Sequence, residues 1–393
     1  DEQLTFHIGD KKEWKDRKYN ELEEHNRKEL QKTVRSLIAN YQVNNLTKLI
    51  QIANDQAVQG MKGGGKPLAT QKKKVTFDFM SFYLRRKFLI EKIFNEKNQL
   101  RQDPIFVVGY PRSGTTLIQA YLATQQEIET FPETHFFTVI WSKLNIQNGI
   151  ILPHGKKQTN KKEYLINLFD VIGEKIPLST SCKAYIADRL VSKSLSPKKL
   201  FEALIKELLR KNLKDDEVLI KRWLEKTPDH AYMVKKLIQF YPESKIIFVL
   251  RNPEKAILSR RKHFSGNMEK IWPIEKHLQL WLKSINSIED VIEDHSDKIK
   301  LVRFEDFVEN PDDQTEKLAK FIGMDFDANL LSNYKEAARK TFYEWEAWKK
   351  DTTKEISLNK ALRPEESLND DDKIIYKKVL FDKLKKYNYL EQE

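Results

Sequence analysis

The chain has 393 residues, of which 40% are hydrophobic and 33% charged, enough for one large α/β domain with an appendage. Its formal net charge of +12 fits an anionic small-molecule ligand, and nucleic acid or an anionic membrane would fit it equally well. The single cysteine, Cys182, excludes an internal disulfide and an all-cysteine metal site, which suits a reducing compartment. No apolar run approaches the ~20 residues of a membrane span, so we expect a cytoplasmic location.

The first 100 residues are predicted to form a helical extension that precedes the catalytic domain. Residues 11–60 are rich in charged side chains with apolar residues at helical spacing, and residues 77–94 form a strongly apolar helical stretch with a basic face. We expect the second stretch to pack on the domain, and a membrane-surface or acyl-substrate helix is the alternative. The predicted division is therefore residues 1–100 and residues 101–393, with membrane association left open.

The most informative motif is IFVVGYPRSGTT, at residues 105–116. Four apolar residues that end at Gly109 predict a buried strand, and the LIQAYLA that follows Thr116 predicts a helix. A glycine-rich turn between a strand and a helix directs several backbone N–H groups at one point, which makes an anion pocket. The spacing is that of a phosphate-binding loop, but Thr115 stands where nucleotide triphosphatases carry lysine, and the nearest basic side chain is Arg112.

A second phosphate site is predicted in the segment KIIFVLRNPEKAILS, at residues 245–259. An apolar strand ends at Arg251, where a nucleotide triphosphatase would carry an aspartate for magnesium. Ser259 follows eight residues later, about two turns into a helix. A cation and a hydroxyl without a carboxylate indicate a phosphate site, so we expect no metal.

The remaining elements alternate between strands and helices. Further strands are predicted near 218–228 and 298–304, and helices near 160–173, 197–212, 229–240, 253–263, 273–295, 312–322 and 371–388. This alternation predicts an α/β fold with a parallel sheet covered by helices on both faces. Ligands of such sheets bind beyond the carboxyl ends of the strands, which is where the loop, Lys226 and Arg251 all fall. We therefore expect one site.

Together these segments resemble the sulfotransferases that use 3′-phosphoadenosine-5′-phosphosulfate (PAPS). FPETHFF (131–137), LEKTPDH (224–230) and LVRFEDFVENP (301–311) extend the resemblance over residues 104–324. The PRSGTT loop with a glutamate about twenty residues later is similar to the tyrosylprotein and bacterial-type branch. The resemblance implies a P-loop-type fold, PAPS as co-substrate, Arg251 and Ser259 on its 3′-phosphate, and a 5′-phosphosulfate site formed by Pro111, Arg112, Ser113, Gly114, Thr115 and Thr116.

The resemblance also implies the catalytic residues. Glu133 would be the general base, Lys226 would stabilise the leaving group, and Arg112 would contact the 5′-phosphate. Apolar neighbours at 131, 136 and 137 predict a raised pKa for Glu133 through desolvation. His135 is the alternative base, and a helix-capping or salt-bridging role is the alternative for Glu133.

Two further expectations concern basic segments. The arginines and lysine that follow Ser259, at 260–262, are expected to be solvated. The late RKGxxGxW-type segment of the cytosolic members is missing, and only EAWKK (346–350) is faintly similar to it.

The predicted function is transfer of the sulfuryl group from PAPS to a hydroxyl of an acceptor, with no nucleic-acid partner. A small-molecule kinase is one alternative, but it would need lysine at position 115 and an aspartate at the strand end. A noncatalytic nucleotide- or polyanion-binding protein is the other, favoured by the basic charge. The acceptor (small molecule, lipid or acyl chain, sugar or protein tyrosine) and the oligomeric state stay open. Residues 141–195 and 264–275 are expected to carry specificity, with Trp141, Phe264 and Trp272 as aromatic candidates.

Overall fold

The computed structural model describes residues 100–152, 161–213, 218, 221–264, 272–344, 346, 349–350, 353–354, 358–362 and 364–390. All of them belong to one unit of the chain, Ile93–Glu393. The helices predicted within 11–60 and at 77–94 lie outside the described residues. The division at residue 100 therefore stays a prediction.

A five-stranded sheet forms the centre of the described structure. The strands are, in chain order, β1 (Ile105–Gly109), β2 (Ile128–Thr130), β3 (Ile146–Gln147), β4 (Ile150–Ile151), β5 (Arg222–Lys226), β6 (Lys245–Leu250) and β7 (Ile299–Arg303). The sheet has the order β2-β5-β1-β6-β7 and every pairing in it is parallel, while β3 and β4 form a separate antiparallel pair. The predicted parallel α/β sheet is confirmed.

Helices flank this sheet. They are α1 (Thr115–Leu122), α2 (Lys161–Gly173), α3 (Thr180–Val191), α4 (Pro197–Leu209), α5 (Val234–Phe240), α6 (Pro253–Phe264), α7 (Ile274–Ile292), α8 (Phe304–Glu309), α9 (Pro311–Ile322), α10 (Tyr334–Arg339), α11 (Leu358–Leu362) and α12 (Asp370–Lys386). Shorter turns of 3₁₀ or π helix occupy Phe136–Ile140, Trp141–Lys143, Pro228–Met233 and Ala328–Asn333. Within the described ranges, none of the helices is long and apolar enough to cross a membrane.

The central strands are buried on both faces, as parallel strands under helices are. All five residues of β1 and of β5 are buried, and alternate side chains of β1 and β6 (Ile105, Val107, Ile247 and Val249) join a core cluster with α1 and α8. β1 consists of apolar residues and glycine, but β5 reads RWLEK and places charged side chains in the same environment. Buried charges need partners, so β5 is where the fold and the site meet.

The sheet order brings the predicted site segments to one edge. β5 and β6 lie on either side of β1, with Lys226 in register with Val107 and Val249 in register with Gly109. Because the strands are parallel, the loop after β1, the end of β5 and Arg251 after β6 share the carboxyl edge of the sheet.

Two glycines allow the loop after β1 to turn there. A Cβ at Gly109 would lie 2.5 Å from the carbonyl oxygen of Val249 in the neighbouring strand. Gly114 has a φ of +90°, and a Cβ there would lie 2.1 Å from the ring of Phe304. Both positions therefore require the absence of a side chain.

We predict that Gly109→Ala lowers the free energy of unfolding by about 1–3 kcal/mol, the range for overpacking a filled core. The clashing atom is backbone, so β1 and β6 would have to separate. Gly173→Ala, at the end of α2 with nothing within 4 Å of its Cβ, is the control. It should be neutral or should stabilise by up to ~1 kcal/mol. Chemical denaturation of both variants checks this, and equal stabilities would contradict the close approach at Gly109.

Candidate functional site

The loop between β1 and α1 has the geometry of an anion pocket. The Ser113 backbone N–H donates to the Tyr110 carbonyl at 3.1 Å, which closes the turn, and Gly114 then caps α1 without a side-chain hydrogen bond. Arg112 takes a left-handed conformation with a φ of 73°. The Ser113 hydroxyl is buried and makes no hydrogen bond to the described part of the chain. These donors at a helix N-terminus suit an anionic group.

The residues predicted for the two phosphates form one cluster. Nε of Arg112 lies 3.3 Å from Oγ of Ser259, on α6. Arg251 donates through Nη1 to the Arg112 carbonyl at 2.9 Å and through Nη2 to the Ala361 carbonyl at 2.5 Å. Its guanidinium also stacks 4.5 Å over the ring of Phe304. Arg251, which follows β6, therefore connects this strand to the loop after β1 and to α11.

The predicted base and the predicted catalytic lysine are in direct contact. Nζ of Lys226 lies 2.5 Å from Oε1 of Glu133. Lys349, from the late segment, approaches the same oxygen at 2.7 Å, and Nε2 of His135 lies 3.2 Å from Oε2. The side chain of Lys226 is 0% exposed and that of Glu133 12%. A carboxylate at the carboxyl edge of the sheet is therefore surrounded by three basic groups.

These contacts decide the protonation states. Burial favours the neutral form of Glu133, but Lys226, Lys349 and His135 outweigh it and hold the pKa of Glu133 well below its usual range. The prediction of a raised pKa for Glu133 is wrong. The neighbouring phenylalanines are evident from the sequence, whereas the contacts of the two lysines with Glu133 are not. Burial lowers the pKa of Lys226 to about 8 against the attraction of Glu133. Burial likewise lowers the pKa of His135 to about 4, so His135 is neutral at neutral pH.

A second buried carboxylate, Glu225, anchors the segment that carries Glu133. The hydroxyls of Thr134 and Thr227 donate to its Oε1 at 2.8 and 2.7 Å, and Nδ1 of His230 lies 3.0 Å from its Oε2. The Phe137 N–H donates to Nε2 of His230 at 3.2 Å, so the proton of this imidazole is assigned to Nδ1.

Thr227 also holds the backbone of this segment. Its hydroxyl oxygen accepts from the N–H groups of Thr134 and His135 at 3.2 and 3.3 Å, where His135 has a left-handed φ of 49°. The EKTP segment therefore does two things, because Lys226 contacts the carboxylate of Glu133 while Glu225 and Thr227 fix the chain beside it. The sequence alone indicates a role only for the lysine.

Aromatic and cationic side chains lie beside the loop after β1. The Tyr110 hydroxyl lies 2.9 Å from Nδ1 of His277 on α7. The guanidinium of Arg260 lies 5.2 Å from the Tyr110 ring centroid and 5.1 Å from that of Trp272. Arg260 is only 8% exposed, so the expectation that it is solvated is wrong, since two rings cover it. Arg261 pairs with Asp372 at 2.5 Å, whereas the side chain of Lys262 is exposed.

The aromatic acceptor candidates have different surroundings. The ring of Trp141 stacks on Phe137 with centroids 5.8 Å apart, within a cluster of rings beneath the Glu133 segment. Trp272 is partly exposed and covers Arg260. The side chain of Phe264 lies outside the described residues.

Lys349 is the contact that sequence reasoning missed. It lies within EAWKK, the segment that was only faintly similar to the family's late motif. One signal was available, since Glu346 and Lys349 are three residues apart and pair at 2.5 Å. Among the described residues no three potential metal ligands lie together. The expectation of a metal-free site stays a prediction.

Comparison with known proteins identifies a family. The model of the Sulfotransferase family matches residues 104–328. A sulfotransferase domain from the curacin biosynthetic pathway is 20% identical over 70% of this chain and 97% of its own, with a TM-score of 0.44. Sulfotransferase STF9 from Mycobacterium avium is 13% identical over 88% and 96%, with a TM-score of 0.43. Mouse sulfotransferase SULT7A1, solved with PAP, is 13% identical over 75% and 90%, with a TM-score of 0.41. No protein of curated function matches the sequence.

We predict that Glu225→Gln lowers the free energy of unfolding by about 1.5–3 kcal/mol at pH 7, the scale of a hydrogen bond to a charged group. Burial raises the pKa of Glu225, but His230 and the two threonine hydroxyls outweigh it and lower the pKa below its usual value. Glu225 therefore stabilises the fold above the ordinary glutamate pKa, and this stabilisation is lost as the pH falls through the folded-state pKa.

The measurement is urea denaturation of wild type and variant over a pH series, with Glu243→Gln at an exposed position as control. The difference between wild type and Glu225→Gln should shrink in acid. A difference that is independent of pH would contradict an ionised Glu225.

Proposed function

The chain belongs to the sulfotransferase family, and we propose that it transfers the sulfuryl group of PAPS to a hydroxyl group of its acceptor with Glu133 as general base. The observation that carries this proposal is the direct contact between Glu133 and the buried Lys226, at the edge of the sheet where the loop after β1 lies. A carboxylate and an ammonium beside an anion pocket are the groups that proton removal and charge neutralisation need.

The donor would bind along the loop and α6. The backbone donors and hydroxyls of residues 113–116, with Pro111 and Arg112, would hold the 5′-phosphosulfate. Arg251 and Ser259 would hold the 3′-phosphate. The hydrogen bond between Arg112 and Ser259 and the contact of Arg251 with the Arg112 carbonyl support this arrangement, because they place both sets within reach of one small molecule.

In the transfer step the acceptor oxygen attacks the sulfur of PAPS and forms the new S–O bond. The bridging S–O bond breaks, and its electron pair stays on the 5′-phosphate of adenosine 3′,5′-bisphosphate. The proton of the acceptor hydroxyl passes to Glu133. Lys226 would neutralise the charge that develops on the departing phosphate, which suits a compact ammonium. No metal takes part in this proposal.

The low pKa of Glu133 sets a condition on this step. A carboxylate held by Lys226, Lys349 and His135 is a poor proton acceptor. If Lys226 turns its hydrogen bond to the donor, Glu133 loses one cation and its proton affinity rises. Base strength would then depend on the presence of the donor.

We predict that Arg251→Ala weakens binding of adenosine 3′,5′-bisphosphate by about 1.5–3 kcal/mol, roughly 10- to 150-fold. Isothermal titration calorimetry measures this, and the wild-type affinity should not change with a chelator. Lys262→Ala removes an exposed charge from the same helix and should bind nearly as wild type does. A strict requirement for magnesium, or equal losses in both variants, would refute the site.

We predict that Glu133→Gln lowers turnover by roughly 10²–10⁴-fold, the range for a positioned general base, while bisphosphate affinity changes little. His135→Gln tests the alternative base and should be mild. Turnover is measured with labelled PAPS and a cell extract as the source of acceptors, which also identifies the acceptor class. If His135→Gln abolishes transfer while Glu133→Gln remains active, the histidine is the base and this assignment is wrong.

A further inference from the structure

Lys349 lies beyond the residues that the family model matches and yet reaches the proposed base. Its Nζ is 2.7 Å from Oε1 of Glu133 and 2.5 Å from Oε1 of Glu346, and its side chain is 7% exposed. Burial of an ammonium without partners would be costly, and the two carboxylates supply the partners that hold Lys349 in place.

The late segment is built to present this lysine. The N–H of Tyr343 donates to Oε2 of Glu346 at 2.9 Å, and the N–H of Lys349 donates to the Glu346 carbonyl at 2.9 Å. Glu346 therefore accepts from the turn on one oxygen and from Nζ of Lys349 on the other. The contact with Glu346 keeps Lys349 in place even when its contact with Glu133 is broken.

The chain that precedes EAWKK is fixed to the strand that leads to Glu133. Nζ of Lys340 lies 3.1 Å from Oε2 of Glu129 in β2, and the Asn212 side chain donates to the other oxygen at 3.0 Å. Glu129 precedes Glu133 by four residues. The late segment and the base are thus both placed with respect to β2.

The two lysines at Glu133 differ in their freedom to leave it. Within the described residues, Lys226 hydrogen-bonds to Glu133 alone, so it can turn to another anion by exchanging one bond. Lys349 is tethered to Glu346. Both donate to Oε1 and so use its two lone pairs, which leaves acceptor capacity on Oε2 beside His135.

We propose that Lys349 is a positioning residue for the base, which holds the Glu133 carboxylate with Oε2 toward the acceptor while Lys226 turns to the donor. This inference rests on the proposed function. In the transfer step the acceptor proton passes to Oε2 as the new S–O bond forms and the bridging S–O bond breaks. The titratable groups that face Glu133 are Lys226 from β5, Lys349 and Glu346 from the late segment, the neutral His135 from its own segment, and Asp229 from the turn at Pro228–Met233.

The test is the pH–rate profile of Lys349→Gln, with labelled PAPS and the cell extract. Removing one cation weakens the preference of Glu133 for its ionised form, so the ascending acid limb should move to higher pH. Loss of the contact that orients the carboxylate should lower kcat at least tenfold, while the KM for PAPS changes less than threefold. Lys349→Arg keeps the charge and should restore the position of the limb. Lys350→Gln removes the neighbouring exposed charge and should behave as wild type.

The outcomes separate the two hypotheses. If wild type transfers no label to any component of the extract, the proposed function fails, and Lys349 is not at issue. If wild type is active and Lys349→Gln only melts earlier, with an unchanged acid limb, the role is structural and the inference is wrong. A raised KM at constant kcat would make Lys349 a donor clamp, which also overturns it. If Lys349→Gln does not fold, an acid limb in Lys349→Arg that does not coincide with that of wild type overturns the inference.

Discussion

Two adjacent buried charges on β5 constrain the whole site. Glu225 and Lys226 are both fully buried at the carboxyl end of β5, an interior strand of the sheet, where an unpartnered charge costs several kcal/mol or more. Successive side chains of a strand point to opposite faces, so the two cannot neutralise each other. Each must draw partners from elsewhere in the chain, and both draw them from the segment that follows β2. Glu225 binds Thr134, and Lys226 binds Glu133.

These two contacts, of Glu225 with Thr134 and of Lys226 with Glu133, position the segment that carries the proposed base. The segment at 133–137 is irregular, with a left-handed residue at 135 and a turn of π helix from Phe136, and such backbone needs support from outside. Thr227 and His230 provide that support through hydrogen bonds to backbone N–H groups. The carboxylate of Glu133 is therefore oriented by hydrogen bonds to the chain that directly follows it, and a positioned base requires such support.

Two interpretations of Glu133, a salt-bridging residue and a general base, are compatible with this geometry. The ion pairs account for its lowered pKa, and the loss of one of them is what would make it a stronger base. In the proposed mechanism the donor, itself an anion, would compete with the carboxylate for the ammonium of Lys226. The electrostatics that stabilise the buried cluster would then also connect donor binding to proton transfer.

The amino-acid sequence determined most of the elements and the family, because these are encoded locally. The apolar run that ends at Gly109 and the placement of Lys226 and Arg251 at strand ends were readable from short-range pattern. The contact between Lys349 and Glu133 spans 216 residues and has no such pattern. The direction of the Glu133 pKa shift and the burial of Arg260 likewise depend on which distant side chains come within a few ångströms. Only the tertiary structure decides this, because electrostatic interactions depend on distance in space and not on separation along the chain.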